Sequence, residues 1–314
     1  MKLWEMPGYG REHISLNMRR QVSVGRCTVQ AFDISPNGRL FATVGVDGTL
    51  HHNVLIGNEF APETQKFNNG YMSMRFCAMI GDGYLTLSFK GQLQIVGFDG
   101  QIKKSVDVDP SHIKLRSVTA IAISSDGSQI ALASSEGHVC LIEADTLKSS
   151  PNFEAHMKRI RSMSFLSNNE RLLTACDDKT IRLHNVEEQG HKKPLHTYCG
   201  HTALVASIAV DRHADDKRFV SCGYDKRSIL WDVATGEKLH IFDAAYESPL
   251  TCVSISLDGR YFALGGEDGS LFLNELPAVK DKENVPEEAT GDAEAMQVDD
   301  HPTTTSPMEV TTEC

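Results

Sequence analysis

A sixfold recurrence of one apolar pattern limits what this chain of 314 residues can fold into. The runs VQAFDIS (29–35), SMRFCAM (73–79), VTAIAIS (118–124), IRSMSFL (160–166), VASIAV (205–210) and TCVSIS (251–256) share the same β-type character. Anchored on Ile34, Cys77, Ile123, Phe165, Val210 and Ile255, they are spaced 43, 46, 42, 45 and 45 residues apart. Each is followed by a turn built from Asn, Asp, Ser and Gly, such as SPNG, SSDG or SLDG, and then by a second run, among them LFATVG, IALASS and FVSCG. Such turn residues supply positive φ and side-chain-to-backbone bonds between strands. A tight turn and a third run complete the unit, for example TIRLHNV (180–186) and SILWDV (228–233). A fourth strand is weakly patterned, with candidates near residues 103–108 and in HKKPLHTYC and EKLHIFD. Self-similarity at this period marks supersecondary units that bury their apolar faces only against neighbours. The expectation is an all-β fold, and no long amphipathic helix pattern competes with it.

The best-preserved copy is GHTALVASIAVDRHADDKRFVSCGYDKRSILWDV, residues 200–233. Its Gly200-His201 lead and Trp231-Asp232 close resemble one blade of a WD-repeat β-propeller. In that motif the His201 imidazole, Ser221 hydroxyl, Asp225 carboxylate and Trp231 indole N–H form one buried hydrogen-bond chain, polar groups that are tolerable inside only when paired. His156, Thr174 and Asp178 are expected to make an altered version one repeat earlier. A His, a Ser and an Asp together invite a hydrolase reading, but here they lie inside a sheet, beyond the reach of a substrate. Against Trp231 the other copies carry His184, Asn53, Val96, Ile142 and Asn274, and the first two full repeats lack most of the polar chain.

The ends differ from the middle. KLWE at residues 2–5 resembles a third strand and ISLNMRRQVSV a fourth, so residues 1–26 are expected to be a partial blade, residues 27–277 the propeller and residues 278–314 a disordered acidic tail. Either a seven-bladed parent has been shortened or the N-terminal strands close a six-bladed ring; the expectation is the seven-bladed parent. In the tail, Lys282-Glu283-Asn284 with Pro286 resembles the KEN degradation signal read by the anaphase-promoting ubiquitin ligase, and Ser306-Pro307 resembles a proline-directed phosphorylation site at Ser306.

Charge and cysteine usage exclude several functions. Of the formal net charge of −11, the segment after Leu276 accounts for most, with ten acidic residues against Lys280 and Lys282. The nearly balanced remainder argues against direct nucleic-acid binding, which needs clustered Lys and Arg. Cys27, Cys77, Cys140, Cys176, Cys199, Cys222, Cys252 and Cys314 form no CxxC pair and no zinc spacing, so reduced thiols and no metal are expected. His51 and His52 are adjacent in a strand run and point to opposite faces, which separates them as ligands. No cofactor motif, catalytic residue or membrane segment is present in the pattern.

The entry loops of the first strands and the turns between second and third strands share one face of such a fold. Arg26, Tyr71, Arg116, Lys158, Arg159, Tyr224, Lys226, Arg227 and Tyr246 fall there and are expected to bind a partner, since Arg and Tyr combine apolar contact with a polar tip. Three segments, GQLQIVGFDGQIKKS, HMKRIRSMSFLSNNERLLTACDDKTIRLHNV and KRFVSCGYDKRSILWDVATGEKLHIFD, resemble the WD-repeat subunit shared by the superkiller (Ski) RNA-decay complex and the polymerase-associated factor complex. The resemblance implies a non-catalytic scaffold of the nucleus and cytoplasm, monomeric within its complex. Its partners would be a helical-repeat subunit, a helicase and elongation-complex subunits. The weak second and third repeats and the acidic tail depart from that pattern. Alternatives are a reader of modified peptides, such as a histone reader or ubiquitin-ligase substrate receptor, and a propeller hydrolase with a channel metal.

Overall fold

The computed structural model describes residues 2–5, 17–21, 29–34, 40–45, 47, 49–56, 59–60, 65–68, 71–76, 83–88, 92–99, 101–107, 118–186, 193–243 and 246–277. Every regular element among them is a β-strand, arranged as successive antiparallel sheets, the architecture of a WD-repeat β-propeller. Blades 1 to 6 begin with the strands Val29–Ile34, Tyr71–Phe76, Val118–Ile123, Ile160–Phe165, Val205–Val210 and Leu250–Ile255. Each runs first strand, second strand, third strand in spatial order, with neighbours in sequence paired. Blades 2 to 5 add a fourth strand, Ile102–Asp107, Phe153–Glu154, His196–Cys199 and Lys238–Phe242 respectively, and in blade 1 Gln65–Asn68 takes that place. Blade 6 has three strands among the described residues. Lys2–Glu5 and Asn17–Gln21 pair antiparallel as a separate ribbon. The chain divides into one unit over Met1–Leu276 and another over Pro277–Cys314.

The middle strand of each blade explains why one repeat cannot stand alone. Side chains alternate across a strand, so each sheet presents one set of residues to the blade before it and the other to the blade after it. In blade 3, Ile130 and Leu132 join the core shared with blade 2, while Ala131 and Ala133 join the core shared with blade 4. Blade 5 repeats the device, with Phe219 packed toward blade 4 and Val220 and Cys222 toward blade 6. Ala42, Val44 and Leu50 of blade 1 meet Tyr84 and Val96 of blade 2 in the same way. Every successive pair of the six blades is therefore sealed by an apolar core, and burial is what stabilises the array.

Polar seams reinforce these cores. The Ser125 backbone N–H and hydroxyl of blade 3 both donate to Asn169 Oδ1 of blade 4, at 2.8 and 2.7 Å. Between blades 4 and 5, Arg212 donates to Ser167 Oγ at 3.0 Å and to the Phe165 carbonyl, while the Ser167 N–H donates to Asp216. Arg218 and Asp211, both buried, pair at 2.7 Å, and Arg218 reaches on to the Gly259 carbonyl of blade 6. The sequence shows these residues only as the turn DRHADDKRF; their spacing carries no sign that they bridge blades.

Two expectations are corrected. The first strand of blade 2 is Tyr71–Phe76, which pairs Phe76 with Tyr84 as Ile34 pairs with Phe41 and Phe165 with Leu172. The equivalent anchor is thus Phe76 rather than Cys77; a shift of one residue exchanges the two faces of a strand, and only Phe76 keeps the register. Among the cysteines, Cys140, Cys176, Cys222 and Cys252 are free thiols, but Cys199 is disulfide-bonded, against the expectation of reduced thiols throughout.

Candidate functional site

The polar residues singled out in blade 5 form one continuous chain. His201 Nδ1 lies 2.8 Å from Asp225 Oδ2, His201 Nε2 lies 2.8 Å from Ser221 Oγ, and Trp231 Nε1 donates to the same Ser221 oxygen at 2.8 Å. These are the distances of a catalytic triad, yet Ser221 and Trp231 have no exposure at all, and both sides of the Ser221 hydroxyl are occupied. Asp225 also accepts from the backbone N–H of Thr202 and Arg227, which pins the entry loop to the tight turn. Trp231 packs against Phe219 and Tyr198, and the Tyr198 hydroxyl donates to the Val233 carbonyl.

Blade 4 carries the altered version. His156 bridges Asp178 Oδ2 at 2.8 Å and Thr174 Oγ1 at 2.9 Å, and the Thr174 hydroxyl donates onward to the Arg182 carbonyl. His184 stands opposite Leu172, where Trp231 stands opposite Phe219. Burial pushes the Asp178 and Asp225 carboxyls up, but the histidine hydrogen bond and charge on each outweigh it, and both end below the usual carboxylate value, Asp178 well below it. His156, Cys176 and Asp178 place one ligand-type atom each within 4.8 Å of one another. Both nitrogens of the His156 ring are engaged, and burial pushes the Cys176 thiol up to about 12, so the trio is chemically a hydrogen-bonded staple rather than an open ligand set.

Tyr246, expected on the exposed face, is corrected to a core residue at 8 % exposure. It stands as far before Leu250 as His201 stands before Val205, so it occupies the histidine position of blade 6. Its ring packs on Phe272 at 4.8 Å, and Asn274, the counterpart of Trp231, donates to its hydroxyl at 3.2 Å. Sequence reasoning missed this because it counted Tyr246 by residue type and not by its distance from the strand.

The remaining partner-binding candidates separate clearly. Backbone hydrogen bonds from Asp177 to Arg159, from Tyr224 to Leu204 and from Glu267 to Pro249 join tight turns to entry loops, so these segments do share one face. On it Met157 is 83 % exposed, Lys158, Arg159 and Lys226 are exposed, and Tyr224 and Arg227 are half-buried. The Arg227 guanidinium lies 3.8 Å from Asp243. Arg26, Arg116 and Ser306, with the KEN-like segment, lie outside the described residues, as does the side chain of Tyr71.

A cavity of about 140 Å³ opens on this face, lined by Thr119, Arg159, Arg161, Ala206, Tyr224 and Thr251. Four of these come from one cause. The first strands of blades 3 to 6 each slip register at their second residue, and the bulged residues are Thr119, Arg161, Ala206 and Thr251. A bulge leaves its extra residue out of the ladder and re-aims its side chain. Arg161 is held by two bonds to the Asp177 carboxylate and lies over the Tyr224 ring at 5.8 Å. A polar or charged residue one place inside an apolar run is the signal that could have found Arg161, Thr119 and Thr251 in the sequence.

Comparison with known proteins agrees with this geometry. The model of the WD domain, G-beta repeat, matches this chain at residues 20–52, 147–185, 192–232 and 236–273. It is 30 % identical over 111 residues to pre-mRNA-processing factor 19 of Oryza sativa subsp. japonica, covering 35 % of this chain and 21 % of that protein. It is 28 % identical over 123 residues to a WD repeat-containing protein 26 homolog of Arabidopsis thaliana, covering 39 % and 20 %. A third relative, THO complex subunit 3 of Arabidopsis thaliana, is 27 % identical over 132 residues, covering 42 % and 41 %. The chain thus matches between a fifth and two fifths of the length of these relatives. They are varied WD-repeat proteins, and the finer likeness to one decay- and elongation-complex subunit has no counterpart among them. No helix among the described residues is long and apolar enough to cross a membrane.

Proposed function

We propose that the protein is a non-catalytic scaffold that holds subunits of an RNA-handling complex together through the face carrying Arg159 and Tyr224. The observation that carries this is the division of polar chemistry: His156, Thr174, Asp178, His201, Ser221 and Asp225 are consumed in buried bonds, while Lys158, Arg159 and Lys226 stand exposed beside Tyr224. A buried, fully occupied serine is a staple, and an exposed face of cations with an aromatic ring is a contact surface. Names such as pre-mRNA-processing factor and THO complex subunit, borne by its relatives, support an RNA-linked role. Within that class, the superkiller decay complex or the polymerase-associated factor complex is the specific assembly favoured by the sequence resemblance. The protein would work as a monomer inside it, in nucleus and cytoplasm, without direct nucleic-acid contact and without a cofactor. Affinity purification of the tagged chain with mass spectrometry tests this. Helicase, tetratricopeptide or elongation subunits should co-purify, and recovery of none of them would remove the assignment.

A further inference from the structure

The cavity at Arg159 and Arg161 has a chemistry more specific than a general contact face. Arg161 is immobilised: Nε and Nη2 are bound to Asp177 and the guanidinium rests over Tyr224, leaving Nη1 without a partner among the described residues. The exposed side chain of Arg159 likewise has no ion-pair or hydrogen-bond partner among the described residues. The two threonines on the wall donate away from the cavity, Thr119 to the Ile160 carbonyl and Thr251 to the Gly265 carbonyl. The unspent side-chain donors lining this space are therefore guanidinium N–H groups and the Tyr224 hydroxyl. Exposed Lys158 and Lys226 lie on the same loops, while the Asp178 and Asp225 carboxylates are each bonded to a histidine.

The group that best matches such guanidinium donors is an oxygen-rich anion, because Arg presents its N–H fork to carboxylate and phosphate. At about 140 Å³ the space falls below the roughly 300 Å³ of small-molecule pockets, so it fits one side chain. Exposed Met157 beside Lys158 adds an apolar contact for the chain that would carry that group. We infer that the bulge-lined cavity is an anion subsite, seating a carboxylate- or phosphate-bearing side chain of an acidic peptide segment in a partner protein. This rests on the scaffold reading and names the chemistry of what the scaffold grips.

Fluorescence anisotropy of the full chain tests it with short labelled peptides: one rich in Glu around a single Phe, the same with Gln for Glu, and the same with phosphoserine for Glu. A single-stranded oligodeoxynucleotide is the fourth probe. The Glu or phosphoserine peptide should bind and the Gln peptide should not, with the tighter of the first two identifying carboxylate or phosphate as the natural group. Arg159→Glu, at an exposed position, should weaken that binding at least about tenfold, as should Ala206→Glu, which sets a carboxylate against the cavity wall. Equal binding of the Gln peptide, no change in either variant, or binding of the oligonucleotide alone would overturn the inference. Purification separates the two claims. A partner set unchanged by Arg159→Glu removes the subsite and leaves the scaffold, whereas no partner with the unaltered chain removes the scaffold even where the peptide binds.

Discussion

In blade 5 a histidine, a serine and a tryptophan share one buried hydrogen-bond chain; at the same three places blade 6 carries Tyr246, Leu264 and Asn274. Blade 6 reaches from entry loop to third strand with a single bond, Asn274 to the Tyr246 hydroxyl, and fills the vacated middle with Leu264 and Phe272. Both sheets hold the same register. The position therefore demands a buried link of the right length with its polar atoms paired, and two different residue sets meet that demand.

Truncation of the central residue should break the comparison hardest. Trp231→Ala removes a fully buried ring and a donor together and is expected to cost about 3–5 kcal/mol, read as a fall in denaturant midpoint. Asn274→Ala in blade 6 should cost about 1 kcal/mol, the net worth of one hydrogen bond. Comparable losses at the two sites would mean the blades are stapled alike after all.

Asp225→Asn comes next, at about 1.5–3 kcal/mol near neutral pH, because it weakens a charge-assisted bond and two backbone caps. The folded-state carboxyl lies below its ordinary value, so its contribution is complete above about pH 4 and fades as the pH drops toward the depressed folded value. The gap between variant and parent should accordingly narrow in thermal melts taken at successively more acid pH. A gap that widens on acidification would contradict the pairing with His201.

Tyr246→Phe should lower stability by about 1 kcal/mol, since it deletes the hydroxyl and leaves Asn274 without its acceptor, while the ring still packs on Phe272. Arg227→Ala should shift the melting temperature least, within about 0.5 kcal/mol, as its ion pair is half-exposed and long at 3.8 Å.

The comparison also marks what a sequence makes legible. Apolar periodicity and turn residues place the strands because burial on two faces and positive φ leave direct traces, and the match of His184 and Asn274 to the Trp231 position is readable from spacing alone. Tyr246 was misplaced because a tyrosine serves equally well in a core or on a rim, and its distance from the following strand, the same as that of His201, is what assigns it to the core. The cavity was overlooked for a different reason. Thr119, Arg161 and Thr251 sit one place inside apolar runs, and a polar residue there fits the ordinary alternation of a strand as well as it fits a bulge. Seams such as Arg212 to Ser167 join residues a full repeat apart, which no local pattern encodes.

The alternating allegiance of the middle strands constrains how such a chain can change length. Adding one residue inside the strand Arg218–Gly223 would exchange Phe219 and Val220 between two neighbours at once, so a single insertion would spoil two seams. Adding a complete repeat keeps every side chain on its own side. Growth and loss by whole blades is the route this geometry leaves open, and within a blade the tolerant sites are the turns.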